Sequence, residues 1–143
     1  MTEEIVNGIS LALTEAFPGC PVYGDTRVSQ GLETPSFFVG LGEHHAAPLP
    51  SGLLGVRQAV DVVYFPERRE DYREMWGVGP RVLALLGELP LPDGSMLRGT
   101  NLRCDIVDGL MHMRAVYRLR LKGVEEDWVG GIMEEIEIWT GIG

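Results

Sequence analysis

The sequence predicts an α+β domain, an antiparallel sheet of about four to five strands with two helices packed on one face. Three observations lead there. Asp108-Gly109 divides two alternating apolar runs, and that dipeptide is a strong hairpin signal because a type I′ turn needs positive φ at both central residues. Two other segments repeat apolar residues at helical spacing. Nineteen glycines and nine prolines in 143 residues call for many turns and short elements.

The first helix is predicted from Glu3 to Phe17. Ile5, Ile9, Ala12, Leu13 and Ala16 share a face, Thr2 serves as N-cap, Glu3 and Glu4 suit the positive end of the helix dipole, and Pro18-Gly19 stops it. A short strand around Val22-Tyr23 follows, with a second pairing segment near Arg27 to Gln30. Pro35 opens a strand over residues 35–42 through Phe37, Phe38, Val39 and Leu41. Residues 42–53 read by composition as a loop, longer than the usual hairpin connection of about 2–5 residues and expected to be poorly ordered in a free subunit. The next strand, 54–65, is apolar on both sides near its end, which places it centrally in the sheet; Pro66 ends it. A second helix is predicted from Arg69 to Glu88, kinked or broken at Pro80 because proline removes an internal hydrogen bond.

Strands 95–107 and 110–121 then form the hairpin. Pairing from the turn sets Val107 opposite Leu110, Ile106 opposite Met111, Cys104 opposite Met113 and Leu102 opposite Ala115. One face then collects Leu102, Cys104, Ile106, Met111, Met113, Ala115, Tyr117, Leu119 and Leu121, and the other Arg103, Asp105, His112, Arg114, Arg118 and Arg120. Residues 1–123 make the single domain. Residues 124–143 form an acidic tail, jointed at Gly130-Gly131 and ending in an alternating segment (Glu134, Ile136, Ile138 against Glu135, Glu137, Trp139) that reads as a strand and as an arm between subunits.

Charge is segregated. The net charge is −9, which argues against a nucleic-acid-binding surface over most of the molecule. Residues 1–50 carry −5, residues 51–121 carry +1 with ten arginines, and residues 122–143 carry −5. Five negative charges thus follow a strand whose wet face is arginine-rich. The expected subunit interface pairs Arg114, Arg118 and Arg120 with Glu134, Glu135 and Glu137, with Ile136, Ile138 and Trp139 as apolar anchors. No apolar run approaches the ~20 residues that span a bilayer. Met1-Thr2-Glu3-Glu4 lacks the basic start of a secretory signal, so the expected setting is a cytoplasm, with no membrane partner.

No catalytic, cofactor-binding or metal-ligating set emerges. Glu43, His44 and His45 are adjacent rather than convergent, whereas a metal wants three or four converging ligands. Asp105 and His112 face each other as a cross-strand charge pair without a third member. Gly77-Val78-Gly79-Pro80-Arg81 lacks the Lys-Ser/Thr of a phosphate loop. The runs Glu125-Glu126-Asp127 and Glu134-Glu135 lack the alternate spacing of a calcium loop. Cys20 and Cys104 lack a CxxC spacing and read as unreactive. Trp76 reads as core; Trp128 and Trp139, flanked by acids, read equally as interface or as part of a tail folded back on its own sheet.

The blocks Gln30-Gly31-Leu32-Glu33-Thr34-Pro35-Ser36-Phe37-Phe38, Val60-Asp61-Val62-Val63-Tyr64-Phe65-Pro66, Leu97-Arg98-Gly99-Thr100, Asp105-Ile106-Val107-Asp108-Gly109-Leu110-Met111-His112 and Met133-Glu134-Glu135-Ile136-Glu137, taken in order, make the chain resemble the tail-terminator proteins of long-tailed bacteriophages and prophages. The resemblance runs from the first helix to the acidic end. It implies a non-enzymatic virion component without cofactors, assembled in the host cytoplasm as a ring, usually of six copies. The ring would cap the tail tube and meet the tube protein, the head-completion or neck proteins and, in contractile tails, the sheath. DNA would pass an acidic lumen without specific binding. The alternatives are another neck or head–tail joining protein and, in a different class, a small cytoplasmic enzyme using Asp105, His112 and the loop histidines.

Overall fold

The computed structural model describes residues 2–24, residues 33–122 and the backbone of residues 137–139. Helix α1 (Thr2–Ala16) buries Ile5, Ile9 and Leu13, which recur every fourth residue and so share one stripe. Gly8 lies in that stripe. A Cβ there would stand 3.1 Å from Leu91 Cδ2 and 3.3 Å from the Pro90 carbonyl oxygen, so the helix rests directly on the segment after the second helix. That second helix, α2 (Tyr72–Gly87), is capped by Asp71, whose carboxylate accepts the Glu74 N–H at 3.0 Å. Of the kink or break expected at Pro80, the break does not occur: α2 is one helix through that residue. Pro80 lies on its exposed side, where water can satisfy the carbonyl that proline leaves without a donor.

The sheet differs from the expected antiparallel one of about four to five strands. It is curled and mixed, with β1 (Val22–Tyr23), β2 (Ser36–Pro48), β3 (Leu53–Phe65), β4 (Glu88–Pro90), β5 (Met96–Val107) and β6 (Leu110–Lys122) in the order β1-β2-β3-β6-β5-β4, and β7 (Glu137–Trp139) pairing with β6. The direction changes at β1, which runs parallel to β2 with Val22 beside Phe37. The intervening chain, Gly24 to Pro35, is longer than the tight turn that forces antiparallel neighbours, so its length leaves direction open. β4 adds a strand from the proline-bearing segment after α2, which is tolerated because β4 lies at a sheet edge. The expected pairing segment near Arg27 to Gln30 lies outside the described residues.

The segment expected to be a loop is also strand. β2 and β3 pair from Ser36↔Phe65 to Pro48↔Leu54 and turn through Pro50–Gly52, where Ser51 and Gly52 have φ of 70° and 75°. Gly42 and Glu43 together oppose Ala59, a bulge that keeps Leu41 and His44 on the same face. That extra residue hides the two-residue alternation by which a strand is read. The β5–β6 hairpin keeps the expected register from Val107↔Leu110 to Arg103↔Arg114, and Asp108 and Gly109 take φ of 53° and 78°. Beyond Arg103 the expected Leu102–Ala115 pair is replaced by a bulge, where Asn101 (φ 53°) and Leu102 share the place opposite Ala115. Leu102 is left 40% exposed, while Leu97, farther along β5, is buried.

β3 is central, between β2 and β6. Its Val56, Val60, Val62 and Tyr64 lie beside Leu119, Ala115, Met113 and Met111 of β6, all buried under the helices. Tyr117, fully buried, donates to the Leu86 carbonyl at 2.7 Å and ties β6 to the last turn of α2. Trp76, expected in the core, is 49% exposed. The adjacent Met75 takes the buried position instead.

Candidate interaction surface

Alternation along β3, β5 and β6 sends the charged side chains to the face away from the helices. Next to the hairpin turn they satisfy one another. His112 Nδ1 lies 3.1 Å from both Asp61 oxygens, Arg114 Nε 3.6 Å from Asp61 Oδ2 and Arg114 Nη1 3.8 Å from Asp105 Oδ1. Asp105 does stand opposite His112 as expected, but the His112 side chain meets Asp61 instead: β6 has a neighbour on each side, and β3 supplies the closer carboxylate. Arg103 and Arg114 oppose each other in register, and the two aspartates around Arg114 balance it.

Farther along the strands the balance fails. Arg57 of β3 stands directly opposite Arg118 of β6, and Arg120 opposite Gly55. Among the described residues no carboxylate comes within ion-pair distance of Arg57, Arg118 or Arg120, and the Arg57 Nε is buried without a hydrogen-bond acceptor. Like charges opposed across a ladder destabilise it. Beside them runs a trough of about 490 Å³ whose floor and walls include Ala46, Ala47, Leu49, Gly55, Arg57 and Arg118. Gly55 makes room for Leu49, since a Cβ there would press on that side chain at 3.2 Å.

Arg114, Arg118 and Arg120 thus lie on one face as expected, with Arg114 already paired within the subunit. Arg57 and Asp61 belong to the same surface. Their alternation along β3 was legible, but their place beside Arg118 and His112 depends on the β3–β6 pairing. Glu134, Glu135 and Ile136 lie outside the described residues. Glu137, Ile138 and Trp139 form β7, in register with Lys122, Leu121 and Arg120 of the same chain, along the part of β6 that β5 has left at Tyr117.

The histidines and thiols have structural surroundings. His44 Nδ1 lies 2.6 Å from Oε1 of the buried Gln58, whose amide donates to the Ala59 carbonyl at 2.7 Å; His45 lies 3.4 Å from exposed Glu43. Burial, and then the charge of Glu74, pushes the Cys20 thiol above its ordinary range; burial, and then Asp105, does the same for Cys104. Both stay protonated and weakly nucleophilic. Among the described residues no group of three His, Cys, Asp or Glu is placed to hold a metal ion, and no helix is long and apolar enough to cross a membrane.

The structure is a curled sheet with helices over its core face and, among the described residues, a row of arginines without carboxylate partners over the other. The family model described as phage tail terminator protein matches residues 4–127, and the chain belongs to that family. It is a structural protein of the phage tail. A search of curated proteins finds no match.

Proposed function

We propose that this protein caps the finished tail tube as a ring of identical subunits, six by analogy with the family, and joins the tube to the head-completion or neck proteins. Membership of the tail terminator family supports the reading, and one observation carries the assembly part of it: Arg57, Arg118 and Arg120 form a cationic row without carboxylate partners among the described residues. The chain's own acidic stretch from Glu125 to Glu137 has the complementary charge. In this reading residues 124–143 are the inter-subunit arm. Glu134 and Glu135 reach the arginines of a neighbour with Ile136 as an anchor, and Glu137, Ile138 and Trp139 do so only by exchanging β7 from β6 of their own chain to β6 of the neighbour. Each rim Arg–carboxylate pair adds only ~0–1 kcal/mol, so the anchors dominate the joint. DNA passes a lumen whose net negative charge repels phosphate.

Electron microscopy of tails assembled with and without the protein tests the capping role. Capped tails of uniform length that accept heads are expected with it, and overlong or headless tails without it. Uniform, head-bearing tails in its absence would refute the role. Truncation after Gly131 tests the arm: a folded monomer is expected, and unchanged rings would remove the arm from the joint.

A further inference from the structure

The two sides of the sheet are left open in a complementary way. β1 covers only Phe37 and Phe38 of β2, and β4 covers only Met96, Leu97 and Arg98 of β5. Among the described residues, the rest of each strand therefore has no strand beside its outer edge. Each bulge divides its strand, and beyond it lies a regular run: His44–Pro48 on β2 and Arg103–Val107 on β5. The two runs have equal length. Long exposed edges are ready templates for pairing with another chain, which native proteins ordinarily block or use.

Their directions also match. β2, β3, β6 and β5 are antiparallel in succession, so β2 and β5 run in opposite senses. Rotation about a ring axis preserves each strand's sense relative to that axis. The β2 edge of one copy thus meets the β5 edge of the next as an antiparallel pair, and the sheet continues across the joint. The contact is heterologous, with different surfaces on the two partners, which is the kind that builds rings. The runs lie at opposite ends of the strands, since His44–Pro48 is level with Tyr117–Leu121 of β6 and Arg103–Val107 with Leu110–Arg114. Successive copies are then stepped along the strand direction, the stagger that a closed, tilted sheet requires.

A third feature borders the β5 edge. Tyr72 and Trp76 are 51% and 49% exposed on α2. Helical spacing puts Trp76 on the same stripe as Gly87, where a Cβ would lie 3.3 Å from Leu102 of β5. Large exposed aromatics beside an open edge are the residues that dominate protein–protein joints.

We infer that subunits join by strand addition, residues 44–48 of one copy pairing antiparallel with residues 103–107 of the next, with Trp76 and Tyr72 closing over the seam. The inference rests on the self-assembly proposed above and adds, beside the arm, a second contact between the same copies. Hydrogen–deuterium exchange on the full chain, dilute and concentrated, with mass measured by sedimentation, tests it. The expected result is ring-sized mass together with slowed exchange in 44–48 and 103–107. Rings whose edge amides exchange as fast as in the monomer would overturn strand addition and leave self-assembly standing. A chain monomeric at every concentration would overturn both. Trp76→Ala, at an exposed site, should keep its circular dichroism and melting temperature while ring formation weakens by tenfold or more. Unchanged assembly by that variant would remove α2 from the seam. Ala46→Pro and Ala47→Pro complete the test, because adjacent strand residues point their N–H groups to opposite edges. One of the two should fold normally and fail to assemble; assembly by every variant that folds would overturn the inference.

Discussion

Gly99→Ala gives the sharpest test of how the helix layer is joined to the sheet. Gly99 pairs with Tyr117 across β5 and β6, beneath the last turn of α2. A Cβ at this position would lie 2.5 Å from the Leu86 carbonyl oxygen, 3.3 Å from the Leu86 carbonyl carbon and 3.3 Å from the Tyr117 ring. The nearest obstacle is backbone, so no side chain can swing away. The same oxygen accepts the Tyr117 hydroxyl at 2.7 Å. One methyl group therefore overpacks the contact, at about 1–3 kcal/mol, and displaces the acceptor of a buried phenol, at about 1–3 kcal/mol. The two costs share one displacement and do not add fully, so a loss of about 2–4 kcal/mol is expected. Urea unfolding followed by circular dichroism measures it, and at roughly 4 °C per kcal/mol the melting temperature should fall by about 8–16 °C. Tyr117→Phe alone should cost about 1–2 kcal/mol, and much less in the Gly99→Ala background, where the hydrogen bond is already broken. A Gly99→Ala protein within about 0.5 kcal/mol of the parent, or fully additive losses, would refute the reasoning.

Met111→Ala, which empties the space between β6 and α2 where Gly79 faces the Met111 thioether, should cost about 2–5 kcal/mol in urea unfolding. Arg118→Glu turns the repulsion with Arg57 into an attraction; the isolated subunit should gain up to ~1 kcal/mol while ring formation, by sedimentation, weakens. Burial holds the Tyr117 phenol above the ordinary tyrosine range, as does burial of Tyr64 reinforced by its hydrogen bond to Glu74. The unfolded chain releases these protons near pH ~10 while the folded chain keeps them, so stability is intact below that pH and falls as pH rises above it. Denaturant midpoints taken across that range check the slope, which Tyr117→Phe should reduce.

Features under local control were legible before any fold was known. Asp108-Gly109 required a turn with two positive φ values, and the turn carried the register as far as Arg103↔Arg114. The four-residue spacing of Ile5, Ile9 and Leu13 set the buried stripe of α1, and alternation placed Arg114, Arg118 and Arg120 together. Tertiary structure decided what non-local pairing controls. A bulge costs one residue of alternation, so Gly42-Glu43 concealed the outer half of β2 and Asn101-Leu102 turned Leu102 out of the core. The strand at Val22-Tyr23 was expected, but its parallel pairing with β2, and the edge strand β4, exist through their neighbours. The cationic row follows the same rule: Arg57 and Arg118 are sixty-one residues apart and become one surface only through the β3–β6 ladder. Side-chain direction along a strand is fixed by the strand's own geometry, whereas the neighbour across the ladder is fixed by the free energy of the whole sheet.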